Sequence, residues 1–220
     1  MPEKPKLRGV SHQHAAVVAL LAGALLVAYA PSGRATWASL VYVFGLVALL
    51  TISAVYHRPM WPADLRARLR RLDHAAIFLL ICGTYTPICL LGLPEALGNR
   101  MLILAWALGT LGIARVLFWG AAPRWVSASL YVGLGWLVAF QWSEIVAGLG
   151  LESAALIIIG GLIYSFGALI YAVKRPNPFP RVFGYHEVFH ACVIAAAALH
   201  FVAVGRLVLA ERITGLAASS

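Results

Sequence analysis

Residues 36–57 read Thr-Trp-Ala-Ser-Leu-Val-Tyr-Val-Phe-Gly-Leu-Val-Ala-Leu-Leu-Thr-Ile-Ser-Ala-Val-Tyr-His, from Thr36 to His57. No Lys, Arg, Asp or Glu interrupts this run. A helix rises about 1.5 Å per residue, so a run of this length crosses the roughly 30 Å of hydrocarbon in a bilayer. Comparable runs occupy about 12–30, 72–92, 100–119, 124–143, 153–173 and 186–209. Together they predict an all-α polytopic membrane protein of seven transmembrane helices, with residues 1–220 forming a single membrane domain. The intervening segments carry loop signals: Pro-Ser-Gly at 31–33, Ala-Ala-Pro at 121–123 and Arg-Pro-Asn-Pro-Phe-Pro at 175–180.

Composition agrees. Of the 220 residues, 62% are hydrophobic, and the mean hydropathy is +0.87. A soluble domain of this size needs far more polar surface. The formal net charge of +9 would point to nucleic acid in a soluble protein. Here the basic residues lie between apolar runs, so that partner is excluded and membrane lipids are expected instead. No sequence feature points to a protein partner.

The same basic residues orient the chain. With the N-terminus in the cytoplasm, the inside segments hold Lys4, Lys6, Arg8, Arg58, Arg66, Arg68, Arg70, Arg71, Arg115, Arg124, Lys174, Arg175 and Arg181. The outside segments hold only Arg34, Arg100, Arg206 and Arg212. This excess predicts an N-terminus inside and a C-terminus outside. Alanine- and arginine-rich usage favours a bacterial inner (plasma) membrane. Ala28-Tyr29-Ala30, following a basic head and an apolar run, resembles a signal-peptide cleavage site, but the run is long for a signal core and reads as a retained helix. Trp37, Trp61, Trp119, Trp125 and Trp142 fall near span ends, as an aromatic belt would place them. Pro87 should free a carbonyl in the third span for Thr84 or a neighbouring helix to satisfy. Cys82, Cys89 and Cys192 lie within apolar runs and read as small buried hydrophobes. Gly160, Gly161 and Gly167 would permit close helix packing.

Ionisable residues in a membrane span are expensive and mark function by default. His57 ends the second span, Asp73 and His74 open the third, and His186, Glu187 and His190 open the seventh. The predicted topology brings all six to the cytoplasmic side at similar depth. His186 and His190 lie one helical turn apart on one face and can share a metal ion. His57 would complete a three-histidine site with a fourth position open, the arrangement of catalytic zinc. Asp73 could hold the metal-bound water or act as general base. Ser53, one turn deeper than His57, could hydrogen-bond Asp73 or a substrate carbonyl, or bond back to its own helix. His12, His14 and His74 read as interfacial residues reaching for headgroups. His200 lies about 15 Å deeper than His190, too far to share the ion, and would line a cavity or pair with another helix.

His186-Glu187-Val188-Phe189-His190 also spells the zincin pattern, which makes Glu187 a rival base. The two aspartates, Asp64 and Asp73, both precede it. A protease that draws its third ligand from a later helix is therefore disfavoured.

Ser53-x-x-x-His57, Asp73 and His186-x-x-x-His190 resemble the progestin and adipoQ receptor superfamily. The compact length and Gly83-Thr84-Tyr85-Thr86-Pro87 resemble its bacterial branch, the hemolysin III family. The resemblance covers nearly the whole chain. It implies a seven-helix bundle inverted relative to G-protein-coupled receptors, zinc on His57, His186 and His190, and a water linked to Asp73. It also implies one of three functions: hydrolysis of a lipid amide or ester, membrane-lipid homeostasis with a structural zinc, or a cytolytic pore. No span carries a regular polar stripe, which argues against the pore.

Overall fold

The computed structural model describes residues 5–31, 33–119 and 124–217. Its regular elements are helices: α1 (Val10–Tyr29), α2 (Arg34–His57), α3 (Ala63–Leu91), α4 (Glu95–Phe118), α5 (Arg124–Trp136), α6 (Trp142–Val173) and α7 (Tyr185–Ala217), with a 3-10 turn at Leu137–Gln141 between α5 and α6. The helix starts have local causes. Gly33, at φ 79°, turns the chain into α2. Pro62 and Pro94 precede α3 and α4, whose first turns carry Asp64 and Glu95. These carboxylates favour the positive end of the helix dipole. The expected loop signals at Ser32 and at 121–123, and the basic residue Lys4, lie outside the described residues.

Among the described residues, six stretches are long and apolar enough to cross a membrane. The sequence leads one to expect seven. The difference lies in the expected fifth and sixth spans, which fall within one 49-residue stretch, Trp125–Val173. That stretch is not straight. Gly150 leaves helical geometry at φ 76°, ψ 156°, a region open to glycine. Trp136 Nε1 donates to Ser165 Oγ at 2.9 Å across 29 residues. In an unbroken helix those residues would lie about 43 Å apart, so the chain has doubled back around Gly150.

Burial follows the logic of a lipid solvent. Leu20, Leu21, Ile103, Leu111, Phe166 and Leu169 are exposed on the bundle's outside, where acyl chains would cover them. The interior centres on Tyr42, Leu46, Leu49 and Leu50 of α2, Ala76 and Leu80 of α3, and Val193 and Ala197 of α7. A second cluster joins Tyr85, Ile88 and Cys89 to Ile145, Ala154 and Ile157. Cys82 and Cys89 are buried and free, as expected of small hydrophobes. Gly160 and Gly167 seat α6 on α7: a Cβ on Gly160 would strike the His200 ring, and one on Gly167 would lie 2.9 Å from Cys192 Cβ.

Two local expectations are corrected. Thr84 does not serve the carbonyl that Pro87 frees. Its hydroxyl donates one turn back to Leu80 O at 2.8 Å, while Thr86 donates to Cys82 O and accepts from Trp106 Nε1. The third helix also begins earlier than 72, because the basic segment from Ala63 continues the same helix beyond the apolar run.

Candidate metal centre

Two helices deliver the histidines. His57 is the last residue of α2, and Arg58 follows before Pro59 prevents continuation. His186 and His190 occupy the first two turns of α7. His57 Nε2 and His186 Nε2 lie 3.1 Å apart. Ligating atoms of His57, His186 and His190 all lie within 4.8 Å of one another, and the three side chains are buried. Their rings are inclined to each other by 58° to 64°, so their lone-pair planes cross, as a shared ion requires, instead of running parallel. Nitrogens of two neutral imidazoles this close need a shared proton or a shared cation between them. His190 Nδ1 is buried without a hydrogen-bond partner, at a cost of about 1–3 kcal/mol unless something coordinates it. The donor set therefore fits a metal ion.

Asp73, ten residues into α3, reaches the same cluster: Asp73 Oδ2 lies 3.8 Å from His57 Nε2 and is 13% exposed. The Ser53 hydroxyl, buried in α2, donates to the Asp73 carboxylate. The fold thus gathers His57, His186, His190, Asp73 and Ser53 in one place.

It places Glu187 in a different role. One of its oxygens accepts from Arg8 Nε, and the other accepts the Gly184 N–H at 2.8 Å. One oxygen ties the start of α7 to the N-terminal segment, and the other caps the turn that leads into α7. That segment also pairs its backbone with the loop before α7, Lys6 N to Arg181 O and Leu7 N to Val182 O, both at 3.1 Å. Gly9, at φ 77°, turns against His57. Residues 6–9 therefore form a strap over the histidines.

This strap yields a stability test. Glu187 is 2% and Arg8 20% exposed. Arg8→Ala strands a buried carboxylate and is expected to cost on the order of 3 kcal/mol, read as a lowered thermal midpoint in detergent. Adding Glu187→Gln should recover much of the loss. Equal midpoints for wild type and Arg8→Ala would show the pair to be energetically idle.

His12 departs most from expectation. Its sequence reading is an interfacial residue. In the fold it is 2% exposed, and its ring stacks on His190 at 3.8 Å with an interplanar angle of 7°. His14, two residues on, is exposed. Helical phase separates them, His12 on the inner face and His14 outside, but α1 is apolar almost all round and its sequence does not reveal that phase.

Below the cluster lies a cavity of about 150 Å³. Ser53, Asp73, His12 and His190 line its end at the histidines, and Leu80, Tyr85 and Ile157 its wall. At the far end stands His200, about ten residues and 15 Å along α7. His200 Nε2 donates to Ile157 O at 3.0 Å, and its ring meets Tyr164 edge-on at 5.5 Å. It lines the chamber and pairs with α6; it lies apart from the trihistidine group.

These features define a class: a multi-pass helical membrane protein with a buried trihistidine group at the head of an apolar chamber. Residues 2–201 match the profile of the family described as Haemolysin-III related. The chain belongs to that family. It is 28% identical over 197 residues to the hemolysin-3 homolog of Bacillus subtilis (strain 168), covering 89% of this chain and 90% of that protein. Hemolysin-3 of Bacillus cereus is 30% identical over 200 residues, covering 89% and 87%. The monocyte to macrophage differentiation factor of Homo sapiens is 26% identical over 171 residues, covering 74% and 67%.

Proposed function

We propose that this chain is a zinc-dependent membrane hydrolase of a lipid amide or ester. It would cross the bilayer seven times, N-terminus in the cytoplasm, in a bacterial inner membrane. The observation that carries the reading is the chamber, which brings His190 of the trihistidine group, the Asp73 carboxylate and the Ser53 hydroxyl to an apolar interior. Seven crossings follow if the reversal at Gly150 divides the 49-residue stretch, which is too long for one span. An odd number of crossings agrees with the basic residues, thirteen of which then fall inside and four outside.

Zinc is the ion preferred by three imidazoles with an open fourth position. Tetrahedral bonds of about 2.0–2.1 Å set ligand nitrogens about 3.3 Å apart, close to the 3.1 Å between His57 and His186. When bound, zinc supplies a Lewis acid that polarises a carbonyl and acidifies water. The chain's own groups do the rest. Asp73 takes the proton of the attacking water and returns it to the leaving amine or alcohol. Ser53 holds Asp73 in place through its hydrogen bond. The apolar walls seat the acyl chain and keep bulk water away from the carbonyl.

The test starts with elemental analysis of protein purified without chelator, beside His190→Ala. About one zinc per chain in wild type, absent from the variant, is expected. A wild type without stoichiometric metal overturns the reading. Turnover of an N-acyl sphingoid amide is then measured. Asp73→Asn should keep its zinc and lose at least about a hundredfold in rate. Undiminished turnover removes the base assignment. A zinc-bound wild type inert on amides and esters favours the second reading, a homeostasis regulator whose zinc staples α2 to α7. That reading is supported by the strap of residues 6–9, which lies over the histidines.

A further inference from the structure

We propose that His12 is a ligand-contact residue: from the head of the chamber it hydrogen-bonds the neutral polar group of the bound amphiphile. The inference rests on the reading of the chamber as a lipid amide or ester site.

The ring is 2% exposed and lines the chamber. One ring nitrogen makes a poorly aligned hydrogen bond to the His190 backbone, and neither Nδ1 nor Nε2 has a well-aligned partner. A neutral imidazole carries one donor and one acceptor. At least one of these groups is left unmet in an apolar interior, at a cost of about 1–3 kcal/mol, which the packing of α1 alone gives no reason to retain. One face stacks on His190 at 3.8 Å and 7°.

His12 is not a fourth ligand of the metal centre. Lone pairs of imidazole lie in the ring plane. In two parallel stacked rings they point along parallel planes and do not meet at one point. The planes of the three clustered rings, inclined at 58° to 64°, do cross. His12 thus stands one ring thickness from the metal group, beside it and facing the chamber. An amide or hydroxyl placed there can both accept from and donate to it, and a chain attached to that group continues down the apolar wall. An anion is a poorer fit, because Asp73 shares the same end of the chamber.

The experiment uses full-length, zinc-loaded protein in lipid nanodiscs. Its readouts are zinc content and equilibrium binding of two probes, N-palmitoylethanolamine and hexadecane. His12→Phe keeps a ring to stack on His190 but removes both hydrogen-bonding groups. It should retain zinc, bind hexadecane as wild type does, and bind N-palmitoylethanolamine about tenfold more weakly. His12→Gln, which restores a donor and an acceptor, should recover part of that loss. Equal weakening of both probes, or zinc loss in both variants, would show that His12 only supports His190 and would overturn the proposal. So would unaltered N-palmitoylethanolamine affinity in His12→Phe beside a wild type that binds zinc and probe. A wild type that takes up neither removes the chamber reading itself, and His12's role with it.

Discussion

His57→Ala is expected to empty the metal centre, taking zinc from about one per chain to near none. His57 is the sole member of the trihistidine group from α2, and its Nε2 lies 3.1 Å from His186 Nε2 and 3.8 Å from Asp73 Oδ2. Alanine leaves only the α7 pair, which one helix presents. Changes beyond the ligand sphere typically cost 10–100-fold in affinity, and removing a ligand costs more. Stability should follow. Metal that binds only the folded state stabilises it by about 4 kcal/mol at a thousand times its Kd. A chelator should therefore lower the wild-type thermal midpoint in detergent and leave that of His57→Ala unmoved. If His57→Ala keeps its zinc, or if the chelator lowers both midpoints equally, His57 is not a ligand. A midpoint that falls in the variant while wild type ignores the chelator would mean that the residue matters only for packing α2.

The contrast with His12 shows what a sequence can and cannot convey about such a site. His186 and His190 are legible because one helix carries both, and four-residue spacing fixes them on one face. His57 and Asp73 are legible because apolar runs of known length end beside them, which sets their depth in the membrane. His12 sits at a similar depth and looks no different from His14. Only the rotation of α1 about its axis decides which of the two meets His190. That rotation depends on contacts with α2 and α7, more than 20 and 170 residues away along the chain. The engagement of Glu187 by Arg8 is hidden for the same reason. The zincin-like spelling around Glu187 is a local pattern, whereas its carboxylate is held by a residue 179 positions away.

The fifth and sixth spans illustrate a different limit. The sequence reading places the connection between the fifth and sixth spans at 144–152, marked only by Glu144 and Glu152 at its ends. Helix nonetheless runs through most of that segment, and the irregular backbone lies at the 3-10 turn 137–141 and at Gly150. Hydropathy reports where a chain meets water. It does not report where the backbone bends, which here depends on what Trp136 and Ser165 find on folding together.

Gly45→Val and Gly83→Val are each expected to disable the centre from about two to three helical turns away. The two glycines face opposite helices. A Cβ on Gly45 would lie 2.9 Å from Leu79 O, and one on Gly83 would lie 3.2 Å from Val41 O. Each glycine thus lets its helix rest on the other's backbone, where small residues give membrane helices their closest approach. The obstacle is main chain, so no rotamer change relieves it. Overpacking costs about 1–3 kcal/mol where side chains can yield, and more is expected here. The functional loss should be larger than the stability loss suggests. Ser53 and His57 ride on α2 while Asp73 rides on α3, so prising the two helices apart opens the 3.8 Å gap between His57 and Asp73. Gly45→Ala should be milder than Gly45→Val, and Gly33→Ala, with open space around it but φ at 79°, should strain only its own turn. The measurement is zinc content and thermal midpoint across this series. If Gly45→Val and Gly83→Val fold with wild-type midpoints and full zinc, the α2–α3 contact does not set the geometry of the centre. If they fold with zinc but lose turnover, the contact sets the position of Asp73 relative to the histidines.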